Sequence, residues 1–361
     1  MESNSIGMTK NELETPVLMI DLDAMARNLK KMADSFERMP SSLRPHTKSH
    51  RTPAIAHKQV QAGAKGICCG TLDDAEVMIS AGITDVLVTR EIVLPQAISR
   101  AVGLSMHSEI MIIVDNEEIA GRFSHAAELE GVKVRALVDV LTRLGRSGAP
   151  PGEPALALAR KVSESKGLIF MGFMGYEGSM HGWDRRKREE ACRESLKLLI
   201  ETKKAAEQVG IEVRVVSAGA TSTHRITGMY PGVTEVQAGS YLTMDADYFS
   251  FFSEFEVAAT VMTTVISRPT PFDITTDAGL KKLSQDNGIP QIKGADGIEM
   301  VALNEEHGRL RLTDSGTQVR VGDRIEIIPS HCGAAFNMYD RVCGMRDDCL
   351  EVIWGIGARG R

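Results

Sequence analysis

The sequence predicts an α/β fold: a (β/α)8 TIM-type barrel followed by a C-terminal, mostly antiparallel β domain. Three observations predict it. Eight short apolar, β-rich runs follow one another after residue 40. Helix-forming stretches lie between them, which is the pattern of parallel strands joined by crossovers. From about residue 250 the alternation stops, and β-branched runs succeed one another with only turn residues between.

In chain order the eight runs are residues 43–48, 66–69, 85–89, 109–114, 134–140, 168–176, 212–218 and 235–242. Helical patterns occupy, among others, residues 53–62, 73–81, 116–130, 155–165 and 185–209. Eight βα units in about 200 residues fit a closed barrel. A doubly wound open sheet is the alternative, and the count of eight disfavours it. The later runs, at 255–267, 272–276, 299–302, 308–312, 323–328 and 349–354, carry no long helical pattern between them. They read as a separate antiparallel domain. An opening strand at 16–21 could pair in either domain. The expected boundaries are 1–23 for the N-terminal arm and strand, 24–248 for the barrel and 249–361 for the β domain.

Composition agrees with a globular enzyme. The chain has 361 residues, 43% of them hydrophobic and 25% charged, with a formal charge of 42 − 48 = −6. That balance excludes a disordered chain and gives no general attraction to nucleic acid or an anionic membrane. No apolar run reaches the roughly 20 residues of a bilayer span. The opening MESNSIGMTKNELE lacks the apolar core of a signal peptide. Six cysteines are too sparse for a disulfide scaffold, so a cytoplasmic protein with reduced thiols is expected.

In a barrel, chemistry collects at the C-terminal ends of the strands. The first run ends in RPHTKSHR, residues 44–51. A lysine at a strand tip is a candidate Schiff-base former, because crowding lowers its pKa and frees a nucleophilic amine. His50 and Arg51 are expected to depress it further; a solvated basic loop is the alternative reading. The seventh run ends in SAGATST, residues 217–223, whose small residues let backbone N–H groups approach an anion. The eighth leads into QAGSY, residues 237–241, a second donor set. LGRSG, residues 144–148, holds Arg146 in a glycine-flanked turn, and Tyr176 closes the sixth run.

In the β domain the cluster is PSHCG, residues 329–333. Imidazole and thiolate are good zinc-type ligands, but adjacent side chains on an extended strand point apart. The sequence has no C-x-x-C, Walker loop, G-x-G-x-x-G or H-E-x-x-H, which weakens kinase, Rossmann dehydrogenase and zincin readings.

Residues 16–28 (PVLMIDLDAMARN), 44–53 (RPHTKSHRTP), 237–248 (QAGSYLTMDADY), 329–342 (PSHCGAAFNMYDRV) and 354–361 (WGIGARGR) carry a likeness over nearly the whole chain. The chain resembles the D-threonine aldolase and D-serine dehydratase group, pyridoxal 5′-phosphate (PLP) enzymes on the alanine-racemase fold. The resemblance implies that the N-terminal strand joins the β domain and that the protein is a homodimer. It implies Lys48 as the Schiff-base lysine. It implies Gly219, Ala220, Thr221, Gly239, Ser240 and Tyr241 as phosphate binders, with Arg146 and Tyr176 near the cofactor ring.

It further implies a lyase for D-3-hydroxy amino acids, yielding glycine and an aldehyde. A D-serine or 3-hydroxyaspartate dehydratase and a metal-independent racemase are the alternatives within the fold; a non-catalytic PLP carrier is the reading from another class. Metal-dependent members carry Asp or Cys two positions after a histidine. Here His331 is followed two positions on by Gly333. A divalent metal (Mn, Mg or Zn) therefore keeps only His331 and Cys332 as candidate ligands, and His331 is the candidate base at the β-hydroxyl.

Overall fold

A computed structural model describes residues 5–178, 180, 182–314 and 316–361. The chain divides into two compact units: residues 31–48 and 55–239, with residue 361, form one, and residues 1–30, 49–54 and 240–360 form the other.

The first unit is the barrel. Its parallel strands are β2 (Ser42–Leu43), β3 (Ile67–Cys69), β4 (Val86–Val88), β5 (Met111–Val114), β6 (Val134–Asp139), β7 (Leu168–Met174), β8 (Val215–Ala218) and β9 (Glu235–Val236). They pair in the order β2-β9-β8-β7-β6-β5-β4-β3. A parallel bridge between His46 and Cys68, and the Lys65 N–H donating to the Leu43 carbonyl at 2.9 Å, join the two ends of that order and close the ring. The crossovers are α2 (Pro53–Gln61), α3 (Leu72–Ser80), α4 (Pro95–Ser105), α5 (Glu117–Leu129), α6 (Glu153–Glu164), α7 (Arg185–Gln208) and α8 (His224–Gly228). Thr71, Asn116 and Asp184 cap α3, α5 and α7 by accepting from backbone N–H groups of the first turn, which satisfies donors the helix itself leaves over. Cys68, Leu87, Met111, Ile113, Leu137, Met174 and Val215 form one buried cluster, so Cys68 serves as core packing.

The strands are shorter than the apolar runs that predicted them, and two of the eight keep only two residues each. The run at 43–48 leaves the sheet after Leu43 and ends in a 3₁₀ turn at Thr47–Ser49, and the run at 235–242 leaves after Val236 for a 3₁₀ turn at Ser240–Leu242. Strand-like composition continued where the chain had already turned over the rim.

Near the opposite end of the strands, the Arg44 side chain, 1% exposed, bridges Glu235 at 2.8 Å and Asp85 at 2.7 Å. Burial works against its charge, but the two carboxylates hold the guanidinium above its ordinary value. Glu235 is correspondingly held down, burial being outweighed by its bonds to Arg44.

The second unit contains β1 (Val17–Asp21), β10 (Ala259–Ser267), β11 (Asp273–Thr276), β12 (Gln291–Ile292), β13 (Ile298–Leu303), β14 (Gly308–Leu312), β15 (Arg324–Ile328), β16 (Arg341–Arg346) and β17 (Cys349–Gly355). The main path is β13-β14-β11-β10-β1-β16-β17, with β15 pairing β10 and β12. The N-terminal strand β1 lies centrally, antiparallel to β10 and parallel to β16. Two short helices, α9 (Ala246–Phe251) and α10 (Cys332–Asn337), belong to this unit. Leu13, Val17, Met19, Met262, Cys343, Met345 and Leu350 form a buried cluster. Among the described residues no helix is long and apolar enough to cross a membrane.

Candidate active site

The turn after β2 carries Lys48 and is pinned on several sides. The Thr47 hydroxyl donates to the Cys68 carbonyl at 3.0 Å, the His46 ring Nε2 pairs with the Thr89 hydroxyl at 3.0 Å, and the His46 N–H donates to the Ala238 carbonyl at 3.3 Å. The Lys48 Nζ lies 5.8 Å from the centre of the Tyr176 ring. The Arg146 guanidinium lies 5.9 Å from the same centre. The Lys48 side chain keeps a solvent-accessible face. Protein crowding and, next, the charge of Arg146 hold its amine below the ordinary lysine value. The expected depression by His50 and Arg51 is thus corrected to Arg146: past the 3₁₀ turn the chain bends away, the buried His50 accepts the Thr52 N–H at 3.1 Å, and Arg51 takes a positive φ of 52°.

The segment bearing Arg146 is laced to the strands beside it. The Thr142 hydroxyl donates to the Tyr176 carbonyl at 2.6 Å, and Arg143 Nε donates to the Glu177 carbonyl at 2.9 Å. The Arg143 guanidinium also lies 4.7 Å from the centre of the Trp183 ring. The Ser147 hydroxyl donates to Asp139 at 3.1 Å, and the Ala149 N–H to the Asp139 carbonyl at 2.8 Å. Burial and the neighbouring charge of Glu91 push Asp139 up to about 7.

Glu177, 2% exposed, organises the loop after β8. It accepts the Thr223 hydroxyl at 2.5 Å and the Gly219 N–H. Burial pushes its carboxyl up despite those bonds. The Ala220 N–H donates to the Thr223 hydroxyl at 2.9 Å. Two of the expected phosphate donors therefore bond within the protein, and Gly219 and Ala220 act as scaffold here. Thr221 and Ser222 open the 3₁₀ turn Thr221–Thr223 that precedes α8, on the loop after β8.

Two glycines make that cradle possible. Gly219 has φ +85°, and a Cβ there would meet Thr227 at 2.9 Å. A Cβ on Gly239 would sit 2.5 Å from the His46 carbonyl oxygen, so only glycine lets the loop after β9 press against the lysine turn. A lysine of lowered pKa, flanking Tyr176 and Arg146, and two glycine-tight loops with hydroxyl and amide donors fit a phosphorylated aldehyde cofactor.

The second unit places the remaining residues. Tyr241 is buried with its ring centre 5.7 Å from that of Phe255, so it is built into this unit's core. Ser240 opens the same 3₁₀ turn and accepts the Met244 N–H at 2.8 Å. His331 precedes α10 and is partly exposed; its Nδ1 lies 2.6 Å from Asp286 Oδ2. Burial works against the Asp286 charge, but the bond to His331 helps hold its carboxyl below the ordinary value. Cys332 is buried; its thiol donates to the Met244 carbonyl at 2.9 Å and its N–H to Asp245 at 3.0 Å. Burial pushes that thiol well above its ordinary value. The geometry corrects Cys332 from candidate ligand to structural thiol, and Gly333 offers no side chain. The residues present do not fit the family's two-ligand metal set. Among the described residues, no group of three or more His, Cys, Asp or Glu could hold a metal.

Sequence reasoning missed Asp286, Asp245 and Arg143. Asp286 stands in SQDNG, residues 284–288, which reads as an ordinary polar turn. Arg90, His181 and His224 follow apolar runs of the barrel in the sequence. His224 is buried with Nδ1 2.7 Å from the Thr221 carbonyl, Arg90 is exposed, and His181 lies outside the described residues.

Comparison with known proteins accounts for both units. Residues 20–247 match the alanine racemase N-terminal domain, and residues 258–345 match a putative serine dehydratase domain. The chain is 33% identical to D-threonine aldolase of an Arthrobacter species, over 96% of this chain and 93% of that protein. It is 31% identical to 3-hydroxy-D-aspartate aldolase of Paracoccus denitrificans, over 98% and 94%. The crystal structure of D-threonine aldolase from Filomicrobium marinum superposes with a TM-score of 0.96 at 34% identity, covering 98% of each chain. The chain belongs to the alanine-racemase-fold family that includes D-threonine aldolase.

Proposed function

We propose that the protein is a PLP-dependent carbon–carbon lyase that cleaves D-3-hydroxy amino acids to glycine and an aldehyde. The observation that carries the reading is the Lys48 amine, lowered by crowding and by Arg146, over the Tyr176 ring at the C-terminal rim of the barrel. The relatives named as aldolases support the choice of reaction. PLP, when bound, supplies an electrophilic aldehyde and an electron-withdrawing ring that stabilises charge at the amino acid's Cα.

This chain's residues do the rest. Lys48 offers the attachment point: a lowered pKa leaves more of the amine neutral and nucleophilic near neutral pH. Thr221, Ser222 and the backbone beside Gly239 hold the phosphate. Tyr176 and Arg146 flank the ring, and the lacing of residues 142–149 keeps Arg146 in place. His331 takes the β-hydroxyl proton at a ring nitrogen. The protein works as a homodimer in the cytoplasm, as the resemblance implies; all six cysteines are free thiols.

The test is product analysis. The PLP-loaded protein is incubated with D-threonine, D-serine and D-3-hydroxyaspartate. Glycine plus an aldehyde is expected. A keto acid plus ammonia would instead make it a dehydratase, the second reading, which the match of residues 258–345 to a putative serine dehydratase domain favours. Loss of optical purity with no cleavage would make it a racemase.

A further inference from the structure

Cleavage of a β-hydroxy amino acid needs a group that accepts the hydroxyl proton. In metal-dependent members the expected arrangement is a cation held by a histidine and by the residue two positions on. Gly333 removes the second ligand. Cys332 does not replace it, because its thiol is committed to the Met244 carbonyl at 2.9 Å. That leaves His331 alone where the metal-dependent pattern has two protein ligands.

Another side chain has taken hold of His331. Asp286 Oδ2 lies 2.6 Å from its Nδ1. Both partners are anchored close by. The Ser330 hydroxyl donates to the Ser284 carbonyl at 2.8 Å, tying the two segments together beside the pair. The Ala335 N–H donates to the His331 carbonyl at 3.0 Å, and the Cys332 N–H donates to Asp245 at 3.0 Å, which sets the His331 backbone at the start of α10. A carboxylate can only accept. It therefore keeps the neutral imidazole's proton on Nδ1 and leaves the Nε2 lone pair open.

We propose that Asp286 is a positioning residue that holds His331 as the Nδ1–H tautomer, so that Nε2 takes the β-hydroxyl proton with no metal ion at this position. The inference rests on the lyase reading above. In the step, the hydroxyl proton passes to His331 Nε2 and the O–H electron pair forms the aldehyde C=O. The Cα–Cβ bond breaks and its pair remains on the Cα side, which takes one proton from water to give glycine. Nε2 then returns its proton to water. Nothing is oxidised or reduced.

Three measurements on the PLP-loaded protein test this. Imidazole 15N NMR, with His331 assigned by His331→Gln, is expected to show an unprotonated Nε2 in the neutral ring. Asp286→Asn is expected to move the proton to Nε2, because its amide can donate to Nδ1. Protonated Nε2 in the unsubstituted protein overturns the proposal. Mn2+ titration after chelator treatment, followed by electron paramagnetic resonance, is expected to show no stoichiometric binding, whereas Gly333→Asp, which restores the His-X-Asp pattern, gains it. Stoichiometric Mn2+ lost in His331→Gln overturns the proposal.

In turnover, Asp286→Asn is expected to lower kcat about 100-fold with KM nearly unchanged, Asp286→Ala about tenfold, and Asp286→Glu to recover most of the rate. Unchanged kcat in Asp286→Asn overturns it. Failure of the unsubstituted protein to cleave any β-hydroxy amino acid would overturn the lyase reading itself, and the tautomer and Mn2+ measurements keep that failure separate from this one.

Discussion

Lys48 and Arg146 share one aromatic ring: their charged groups lie 5.8 and 5.9 Å from the centre of Tyr176. Two cations on one rim cost free energy, and the protein keeps them together by lacing the turn at 142–149 to its neighbours. Arg146→Met should therefore raise the Lys48 pKa. Acetic anhydride labelling of Lys48 in the cofactor-free protein, followed against pH by mass spectrometry, should shift its midpoint upward. An unmoved midpoint would leave burial as the sole cause.

Lys48→Ala should abolish turnover and the absorbance that marks covalently bound cofactor. Normal turnover in this variant would sink the assignment of Lys48, and with it the reading of the rim as the cofactor site.

Asp139 links pH to stability. Its carboxyl is raised from 3.8 to about 7 by burial and by Glu91. A group whose folded pKa is raised binds its proton more tightly in the folded state. Its contribution is fully present below about pH 4 and is lost as pH rises towards 7. Asp139→Asn removes the ionisable group while keeping a polar partner for Ser147. Relative to the unsubstituted protein, its unfolding free energy should improve progressively from pH 4 to 8, by on the order of 4 kcal/mol at the upper end, with Tm rising in step. A Tm difference that is flat with pH would show that Asp139 is ionised throughout.

Gly239→Ala places a methyl group 2.5 Å from the His46 carbonyl oxygen. The obstacle is backbone, so the lysine turn or the loop after β9 must move. Overpacking of this kind costs roughly 1–3 kcal/mol. PLP affinity should fall by more than tenfold, read by equilibrium dialysis, while circular dichroism keeps its folded signature.

Arg44→Met should lower stability by about 3–5 kcal/mol in urea unfolding, because it leaves Glu235 buried without its main partner. Arg44→Met combined with Glu235→Gln should recover much of that loss. Equal stabilities for the single and double variants would argue against charge as the cause.

What the sequence by itself determined is local and periodic. Apolar runs of strand length and helical stretches between them set the barrel order, and a lysine at a strand tip with glycine-rich loops one and two strands away marked the rim. β1 is the intermediate case: its composition identified a strand, but its place between β10 and β16 depended on pairing with residues more than 200 positions away. Only the tertiary structure decided which charges meet. Arg146, rather than the adjacent His50 and Arg51, bears on Lys48, because the chain turns over the rim after Ser49. Glu177 reaches Thr223 across 46 residues, and Asp286 reaches His331 across 45. Hydrogen bonds and charge effects act over a few ångströms of space, and distance along the chain carries no record of them until the strands have paired.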